Sequence, residues 1–311
     1  MKNVLVTGGA GFVGSHLVET LVKKGINVTV IDDFSNGNKE NLNSCLEKIK
    51  LINFDVSNSD WSLLNEITPD TIFHLATHPR SFSLSDPKRN LEVNVLGTLN
   101  VLEFAKKNNS KFIYTSNSGI CGEPKFFPVT EEHPEDCKTP YDANKLIGEH
   151  YAKIYHEIYG IYITIFRLAA VYGERQKVNE SLGWRPLVAT LVQKIISDET
   201  PSIQWDGNQT RDLIYVKDVV NGLIKGAESN EHAGMMFLLS TNKETSVNQV
   251  FDMICKLTKK EITPKYEEKN LGDLRRMILS YDKAKLAFDY TPEFSLKDGV
   301  LRYIEWLKKT K

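Results

Sequence analysis

Four glycines fall within seven residues in Val6-Thr7-Gly8-Gly9-Ala10-Gly11-Phe12-Val13-Gly14, between a short apolar run and a helical stretch. Val4-Leu5-Val6 has the composition of a buried strand, and Gly14 to Lys24 has the pattern of a helix. A strand that enters a helix through such a loop opens a βαβ unit. Gly9, Gly11 and Gly14 satisfy G-x-G-x-x-G, while Gly8, Gly11 and Gly14 give an alternative three-residue spacing. Missing side chains permit a tight turn, close approach of a pyrophosphate, and close packing of helix on strand. The helix N-terminus then offers free N–H groups and a partial positive charge. Gly8, Gly11, Phe12 and Val13 are therefore expected to contact a dinucleotide.

The acid expected of such a site is Asp32, at the end of the next β-rich run, Val28-Thr29-Val30-Ile31. Its carboxylate can accept both hydroxyls of an adenosine ribose and would repel a 2′-phosphate. Asp33 follows, Asn36 lies in the same loop, and no Arg or Lys neighbours them in sequence. NAD is thus expected over NADP.

Further apolar runs appear at Lys50–Phe54, Thr71–Leu75, Lys111–Tyr114 and Tyr162–Phe166, with helical stretches between them. In one of those stretches Leu91, Val95, Leu99 and Leu102 recur at helical spacing. The alternation predicts an α/β fold, a Rossmann-type doubly wound parallel sheet. Beyond Arg175 the rhythm breaks into Gly, Pro and polar residues, so a smaller mixed α/β substrate domain is expected there. The predicted division is 1–175 for the cofactor domain, with 211–232 returning to it, and 176–210 plus 233–311 for the substrate domain.

Composition narrows the partners. Lys and Arg number 39 against 40 Asp and Glu, a net charge of −1, which gives no long-range pull toward nucleic acid or an anionic membrane. The four cysteines, Cys45, Cys121, Cys137 and Cys255, show no metal-ligand spacing, so free thiols and no metal are expected. The N-terminus has no signal-peptide apolar region, and no window approaches the length of a membrane span. A soluble, cytoplasmic protein is expected.

The chemistry centres on Thr139-Pro140-Tyr141-Asp142-Ala143-Asn144-Lys145. Thr139 suits an N-cap, Pro140 the first helical position and Asp142 a capping-box acid. Tyr141 and Lys145 then leave one face of the helix. A phenol with an ordinary pKa of about 10 is a poor base at neutral pH. A nearby ammonium, the helix N-terminus and an oxidised nicotinamide would each favour its phenolate. Lys145 can also hydrogen-bond the nicotinamide ribose.

With the glycine loop and Tyr-x-x-x-Lys in place, further segments align. These are Asp55 after the third run, His74-Leu75-Ala76, Val93-Asn94-Val95-Leu96-Gly97-Thr98, and Gln209-Thr210-Arg211-Asp212-Leu213-Ile214-Tyr215-Val216-Lys217-Asp218-Val219. Over nearly its whole length the chain resembles the extended short-chain dehydrogenases/reductases, the NAD-dependent sugar epimerase/dehydratase family. The resemblance implies cofactor contacts at Asp55, Val56, Leu75, Ala76, Thr77 and Asn94, besides Tyr141 and Lys145. It gives Arg211 the nucleotide diphosphate, which a guanidinium grips with two parallel bonds. An ion pair of Arg211 with Asp212 is the structural alternative. Gly272-Asp273-Leu274-Arg275-Arg276 resembles a second diphosphate contact, through Arg275. Asn179 is a further expected substrate contact, and a homodimer paired through Rossmann helices is implied.

The departures from the family decide more. Its Ser or Thr after the fifth strand falls at Asn117, within Thr115-Ser116-Asn117-Ser118-Gly119-Ile120-Cys121-Gly122. An amide can donate to a developing alkoxide but cannot relay a proton as a hydroxyl can. Ser116 or Ser118 could take over after a small loop shift. Sugar dehydratases place Asp-Glu where Ser118 and Gly119 stand, and decarboxylases keep a glutamate at the Gly119 position. Ala170 replaces a frequent asparagine, and His78 and Arg80 stand where the family has other residues, placed either to face the sugar as substrate contacts or as surface polar residues. Gly183-Trp184-Arg185-Pro186 is a basic, aromatic stretch suited to shaping a nucleotide pocket. What these residues support is reversible hydride transfer. A UDP-sugar 4-epimerase with a transient 4-keto intermediate is the leading expectation. An NAD(P)-dependent keto-sugar reductase or epimerase on a dTDP-, CDP- or GDP-sugar is the alternative, and a non-catalytic dinucleotide sensor stands behind both.

Overall fold

The computed structural model describes residues 1–179, 185–269 and 273–310. Its first half alternates β1 (Asn3–Thr7), α1 (Phe12–Lys23), β2 (Asn27–Asp32), β3 (Ile49–Asn53), β4 (Thr71–His74), α2 (Pro87–Leu91), α3 (Gly97–Asn108), β5 (Lys111–Asn117), α4 (Pro140–Tyr159), β6 (Ile163–Leu168) and β7 (Ala170–Tyr172). The second half adds α5 (Leu187–Ile196), β8 (Ser202–Gln204), β9 (Thr210–Tyr215), α6 (Val216–Glu228), β10 (Met235–Leu239), β11 (Glu244–Ser246), α7 (Val247–Thr258), β12 (Lys265–Glu267), α8 (Asp282–Phe288) and α9 (Leu296–Thr310).

Seven strands form one parallel sheet in the order β3-β2-β1-β4-β5-β6-β10. Strand order reverses between β1 and β4, which leaves a crevice at their carboxyl ends. The central strands are apolar on both faces, as burial under two helix layers requires. Val4, Leu5, Val6, Ile72, Phe73, Phe112 and Ile113 are all at most 2% exposed. Helix α1 packs beside α6, and α3 beside α4. A second apolar cluster, around Tyr172, Val192, Ile203, Tyr215, Ile254 and Tyr303, fills the space among α5, α7 and α9. That cluster is the core of the smaller region, with β9 between β7 and β11 and a separate β8–β12 pair.

Three details differ from the sequence-based expectation. Strand β10, placed in the substrate domain by the 233 boundary, is the seventh strand of the large sheet, in parallel register with β6. Thr210–Tyr215 pairs with β7 and β11, so the return to the large sheet begins with α6 rather than at 211. The stripe Leu91, Val95, Leu99, Leu102 is not the inner face, since Leu91 is 51% exposed and only Leu102 is fully covered. A five-residue π-helical turn, Glu92–Leu96, joins α2 to α3. Asn90, Asn94, Thr98, Val101 and Ala105 form the buried face instead, at the same helical spacing.

Candidate active site at the sheet crevice

One cavity of about 1480 Å³ opens at the carboxyl end of the sheet and extends to the smaller region. Its floor at one end is the glycine loop, with Gly8, Gly11, Phe12 and Val13 in the wall. Gly8 has φ +68°, and a Cβ there would stand 2.6 Å from the Ala76 amide. A Cβ on Gly14 would collide with the Gly8 carbonyl. Gly8, Gly11 and Gly14 line the cavity, whereas Gly9 packs against Val30, so the spacing that faces it is Gly8, Gly11, Gly14. Helix α1 begins after Gly11 with no side chain capping it, so its first-turn N–H groups remain open to a phosphate.

Asp32 is 6% exposed, and its two carboxylate oxygens accept from Ala10 N and Phe34 N, each at 2.9 Å. Burial raises its pKa, and those two amide bonds oppose the rise. Asp33, Asn36, Asp55, Val56, Leu75, Ala76 and Thr77 continue the wall toward the sheet's centre. Sequence neighbours gave Asp33 no cation, but the fold supplies one. Arg89 of α2 reaches Asp55 at 2.6 Å and Asp33 at 3.4 Å. Burial pushes Asp55 up, yet bonds from Ser57 and Arg89 outweigh it and leave the carboxyl below its ordinary range. His74 is a structural bolt: its ring joins Thr7 Oγ1 at 2.7 Å and Thr98 Oγ1 at 3.0 Å, and burial holds it neutral.

Tyr141 lines the middle of the cavity from the first turn of α4. Thr139 caps the helix by accepting from Asp142 N at 3.3 Å, and Pro140 occupies its first turn. The Asp142 carboxylate does not close a capping box. It accepts the Thr139 hydroxyl at 2.7 Å and lies 3.4 Å from Arg80 Nε. A Cβ on Gly119 would stand 2.6 Å from Asp142 Oδ1, so that glycine makes room for the carboxylate. Burial pushes the Tyr141 phenol up to about 12, against the pull of the Thr77 hydroxyl and the Arg80 charge, with Asp142 adding to the rise. Lys145 is buried one turn on, with its ammonium 4.3 Å above the Tyr114 ring. Burial draws its pKa down to about 7 despite Glu149.

Asn94 sits on the π-helical turn, behind the wall rather than in it. Its Oδ1 accepts from Thr77 Oγ1 and His78 N, both at 2.9 Å, and its Nδ2 donates to His78 O at 3.0 Å. Asn90 Oδ1 accepts from both Asn94 Nδ2 at 3.1 Å and Asn144 Nδ2 at 2.9 Å. Three asparagines thus tie the loop after β4 to α4. Asn90 and Asn144 were not singled out from sequence, although Asn90 and Asn94 lie four apart in one helical stretch.

The loop after β5 stands apart from the cavity wall. Asn117 Oδ1 accepts from Gly119 N at 2.7 Å, and its Nδ2 is buried without a partner. Ser116 Oγ is likewise buried without a partner, and neither residue nor Ser118 lines the cavity. His78 and Arg80 do line it, from the opposite loop.

At the far end Arg211 donates to the carbonyls of Thr210 and Leu274, each at 2.8 Å, and lies 3.7 Å from Asp273. Its alternative partner Asp212 is occupied by Thr241, Asn242 and Leu279 instead. Arg275 is bidentate to Asp206 at 2.8 and 3.0 Å and outside the cavity wall, as is Asn179. Arg185 and Pro186 line the cavity, whereas Gly183, Trp184 and Gly272 lie outside the described residues. Sequence reasoning missed three polar residues here. Gln176, Thr190 and Gln209 line the cavity, and each has one buried oxygen without a partner. Among the described residues no His, Cys, Asp and Glu cluster can hold a metal, and no helix is long and apolar enough to cross a membrane.

A doubly wound sheet, an uncapped glycine-loop helix and a tyrosine facing the same cavity define a dinucleotide-dependent enzyme of the Rossmann class. Residues 4–237 match the model of the NAD dependent epimerase/dehydratase family, and the chain belongs to that family. A Methanocaldococcus jannaschii protein, provisionally named a UDP-glucose 4-epimerase, is 36% identical over 98% of both chains. The crystal structure of UDP-glucose 4-epimerase with UDP-glucose from Thermotoga maritima superposes with a TM-score of 0.94 at 33% identity, covering 99% of each chain. That of the Thermus thermophilus UDP-glucose 4-epimerase in complex with NAD gives 0.89 at 28% identity, covering 99% of this chain and 100% of that one.

Proposed function

We propose that this protein is an NAD-dependent UDP-sugar 4-epimerase, an isomerase of nucleotide sugars. One observation carries the reading: a single cavity holds the glycine loop at one end, Arg211 at the other, and Tyr141 between them. Gly8, Gly11 and the α1 N-terminus would hold the pyrophosphate of NAD, Asp32 its adenosine ribose, and Lys145 its nicotinamide ribose. Bound NAD supplies a reversible acceptor for the hydride on sugar carbon 4. Tyr141 Oη takes the proton of the carbon 4 hydroxyl and returns it after the 4-keto sugar has turned over. Arg211 grips the diphosphate, and a guanidinium fixed by two carbonyls loses little freedom in doing so. Gln176, Thr190 and Gln209 add polar side chains to the same cavity wall. Arg275 is not assigned a ligand contact, because Asp206 holds its guanidinium in both bonds.

The same reading takes 1–175, α6 and β10 as the cofactor-binding unit and the rest as the substrate-binding unit, working in the cytoplasm. It also takes the assembly as a homodimer. Ile147, Ile154 and Ile158 of α4 are 39%, 43% and 67% exposed, and Leu96 beside α3 is 42% exposed. An apolar helical stripe open to solvent is the kind of surface a second copy covers.

The test is to denature the purified protein, identify the released small molecules by mass spectrometry, and incubate the native enzyme with UDP-glucose, UDP-galactose and their N-acetyl forms. Bound NAD with interconversion of one pair is expected. Bound NAD with no turnover of any UDP-sugar would overturn the UDP assignment and point to another nucleotide.

A further inference from the structure

Two acids in the cavity wall, Asp33 and Asp55, are held alike. Asp33 Oδ1 accepts from Ser35 N at 3.0 Å and Ser35 Oγ at 2.6 Å. Asp55 Oδ1 accepts from Ser57 N at 2.8 Å and Ser57 Oγ at 2.7 Å. In each, the serine two residues on occupies Oδ1 and leaves Oδ2 to Arg89, whose Nη2 lies 3.4 Å from Asp33 and 2.6 Å from Asp55. Arg89 Nη1 donates to Ser57 Oγ at 2.9 Å and lies 3.6 Å from Glu92. Arg89, Asp55 and Ser57 thus close a ring of bonds, and one guanidinium clasps the loop after β2 to the loop after β3.

That clasp stands where the base of a dinucleotide would lie. With the pyrophosphate at the α1 N-terminus after β1 and the adenosine ribose at Asp32 after β2, the next strand out along the sheet is β3. Asp55 follows β3, and Phe54 and Val56 flank it in the cavity wall with apolar surface for a flat ring. An ionised carboxylate has about four lone-pair sites. Ser57 takes two on Oδ1 and Arg89 takes one on Oδ2, so one acceptor site is left, at a position the ring of bonds fixes. An exocyclic amino group would fill it, whereas a keto oxygen would meet it lone pair to lone pair. We propose that Arg89 is a positioning residue for the cofactor's base, holding Asp55 so that its free lone pair selects a 6-aminopurine over a 6-oxopurine dinucleotide. This rests on NAD occupying the cavity as proposed above, and not on the sugar chemistry.

The test is a competition. The full-length protein is equilibrated with an equimolar excess of NAD and nicotinamide hypoxanthine dinucleotide, whose base carries a 6-oxo group in place of the amino group. The retained ratio is read by chromatography and mass spectrometry after denaturation, and it does not depend on the fraction of protein folded. Wild type should retain NAD over the analogue by about tenfold or more, the effect of one unsatisfied buried acceptor. Arg89→Met frees Oδ2 to turn and to take up water, and the ratio should fall to about two- to threefold. Arg89→Lys keeps a cation without the fork and should lie between the two. In Asp55→Asn the Ser57 amide keeps an oxygen at Oδ1, so an N–H turns to the base and the preference should reverse. A wild-type ratio in Arg89→Met, at full or reduced occupancy, would overturn the proposal and leave Arg89 as a staple between two loops. A wild type without preference for NAD would overturn the placing of the base. Retention of neither dinucleotide would overturn this proposal together with the NAD reading. Absence of UDP-sugar turnover with the expected ratios would sink the epimerase reading alone.

Discussion

Asp32 and Asp142 are both buried carboxylates, 6% and 0% exposed, one at the glycine-loop end of the cavity and one beside Tyr141. They are held by different means. Asp32 takes two backbone amides, from Ala10 and Phe34, so any sequence that folds the loop correctly satisfies it. Asp142 takes the Thr139 hydroxyl and the Arg80 guanidinium, the latter from a loop 62 positions earlier. Its second oxygen has no normal hydrogen bond and only the 3.4 Å ion pair. Backbone donors cannot be mutated away, and side-chain donors can. The dinucleotide end is therefore fixed by its local fold, whereas the chemistry around Tyr141 depends on a few particular side chains.

The sharpest contrast between the two ends is functional. Tyr141→Phe should lower turnover by about a thousandfold or more while leaving bound NAD in place, because general acid–base catalysis alone contributes on the order of 10²–10⁴. Turnover by UDP-sugar interconversion, paired with cofactor content after denaturation, checks this. A variant that still turns over would remove Tyr141 from the mechanism. Asp32→Ala should do the reverse, weakening NAD about ten- to a hundredfold by calorimetry, a loss of roughly 1.4–2.8 kcal/mol. Once NAD is saturating, its kcat should return close to wild type.

The same contrast governs how much of each end was legible in the sequence. Glycines 8, 11 and 14 and Asp32 lie within one βαβ unit, so spacing alone exposed them. Asp142 could be seen only as a capping acid, because its real partner is set by how the loop after β4 folds over α4. Arg89 escaped for the same reason: it meets Asp33 and Asp55 only once α2 lies against the ends of β2 and β3. The π-helical turn at Glu92–Leu96 is a further case. Sequence periodicity assumes a regular helix and carries no signal for that turn, which bears Asn94, the acceptor of the Thr77 hydroxyl. Six of the seven strands of the large sheet were legible because buried parallel strands are continuous apolar runs. The seventh, Met235–Leu239, has that composition too but comes after the break in rhythm that marked the substrate region.

Removing Arg80 tests the weaker of the two carboxylate holds. Arg80→Ala leaves Asp142 buried with only Thr139 beside it, and it takes a charge away from the Tyr141 phenol. Stability should fall by about 1–2 kcal/mol, discounted from a fully buried pair because the Arg80 side chain is 40% exposed. Since the Arg80 charge draws the phenol down, its loss should also move the acid limb of kcat to higher pH. Arg80→Lys should recover much of the stability. If Arg80→Ala leaves both quantities unchanged, Asp142 is as self-sufficient as Asp32 and the contrast between them is wrong.

The smallest effect concerns Lys145, another buried charge and one that burial opposes strongly. Its pKa is about 7 in the fold against an ordinary value of 10.5, with burial the main cause. Proton counting sets the sign. Between pH 7 and about 10.5 the unfolded chain binds a proton that the folded one does not, so stability rises with pH across that window. Below pH 7 both states are protonated and the full cost of burying the ammonium is present. Lys145→Met removes the charge while keeping the side chain's length. In protein stripped of cofactor, this variant should melt a few degrees above wild type near pH 6, with the advantage shrinking toward pH 10. A constant difference in melting temperature across that range would mean the ammonium is solvated in the fold. It would then compare with the surface lysines, and burial would carry no cost for its charge.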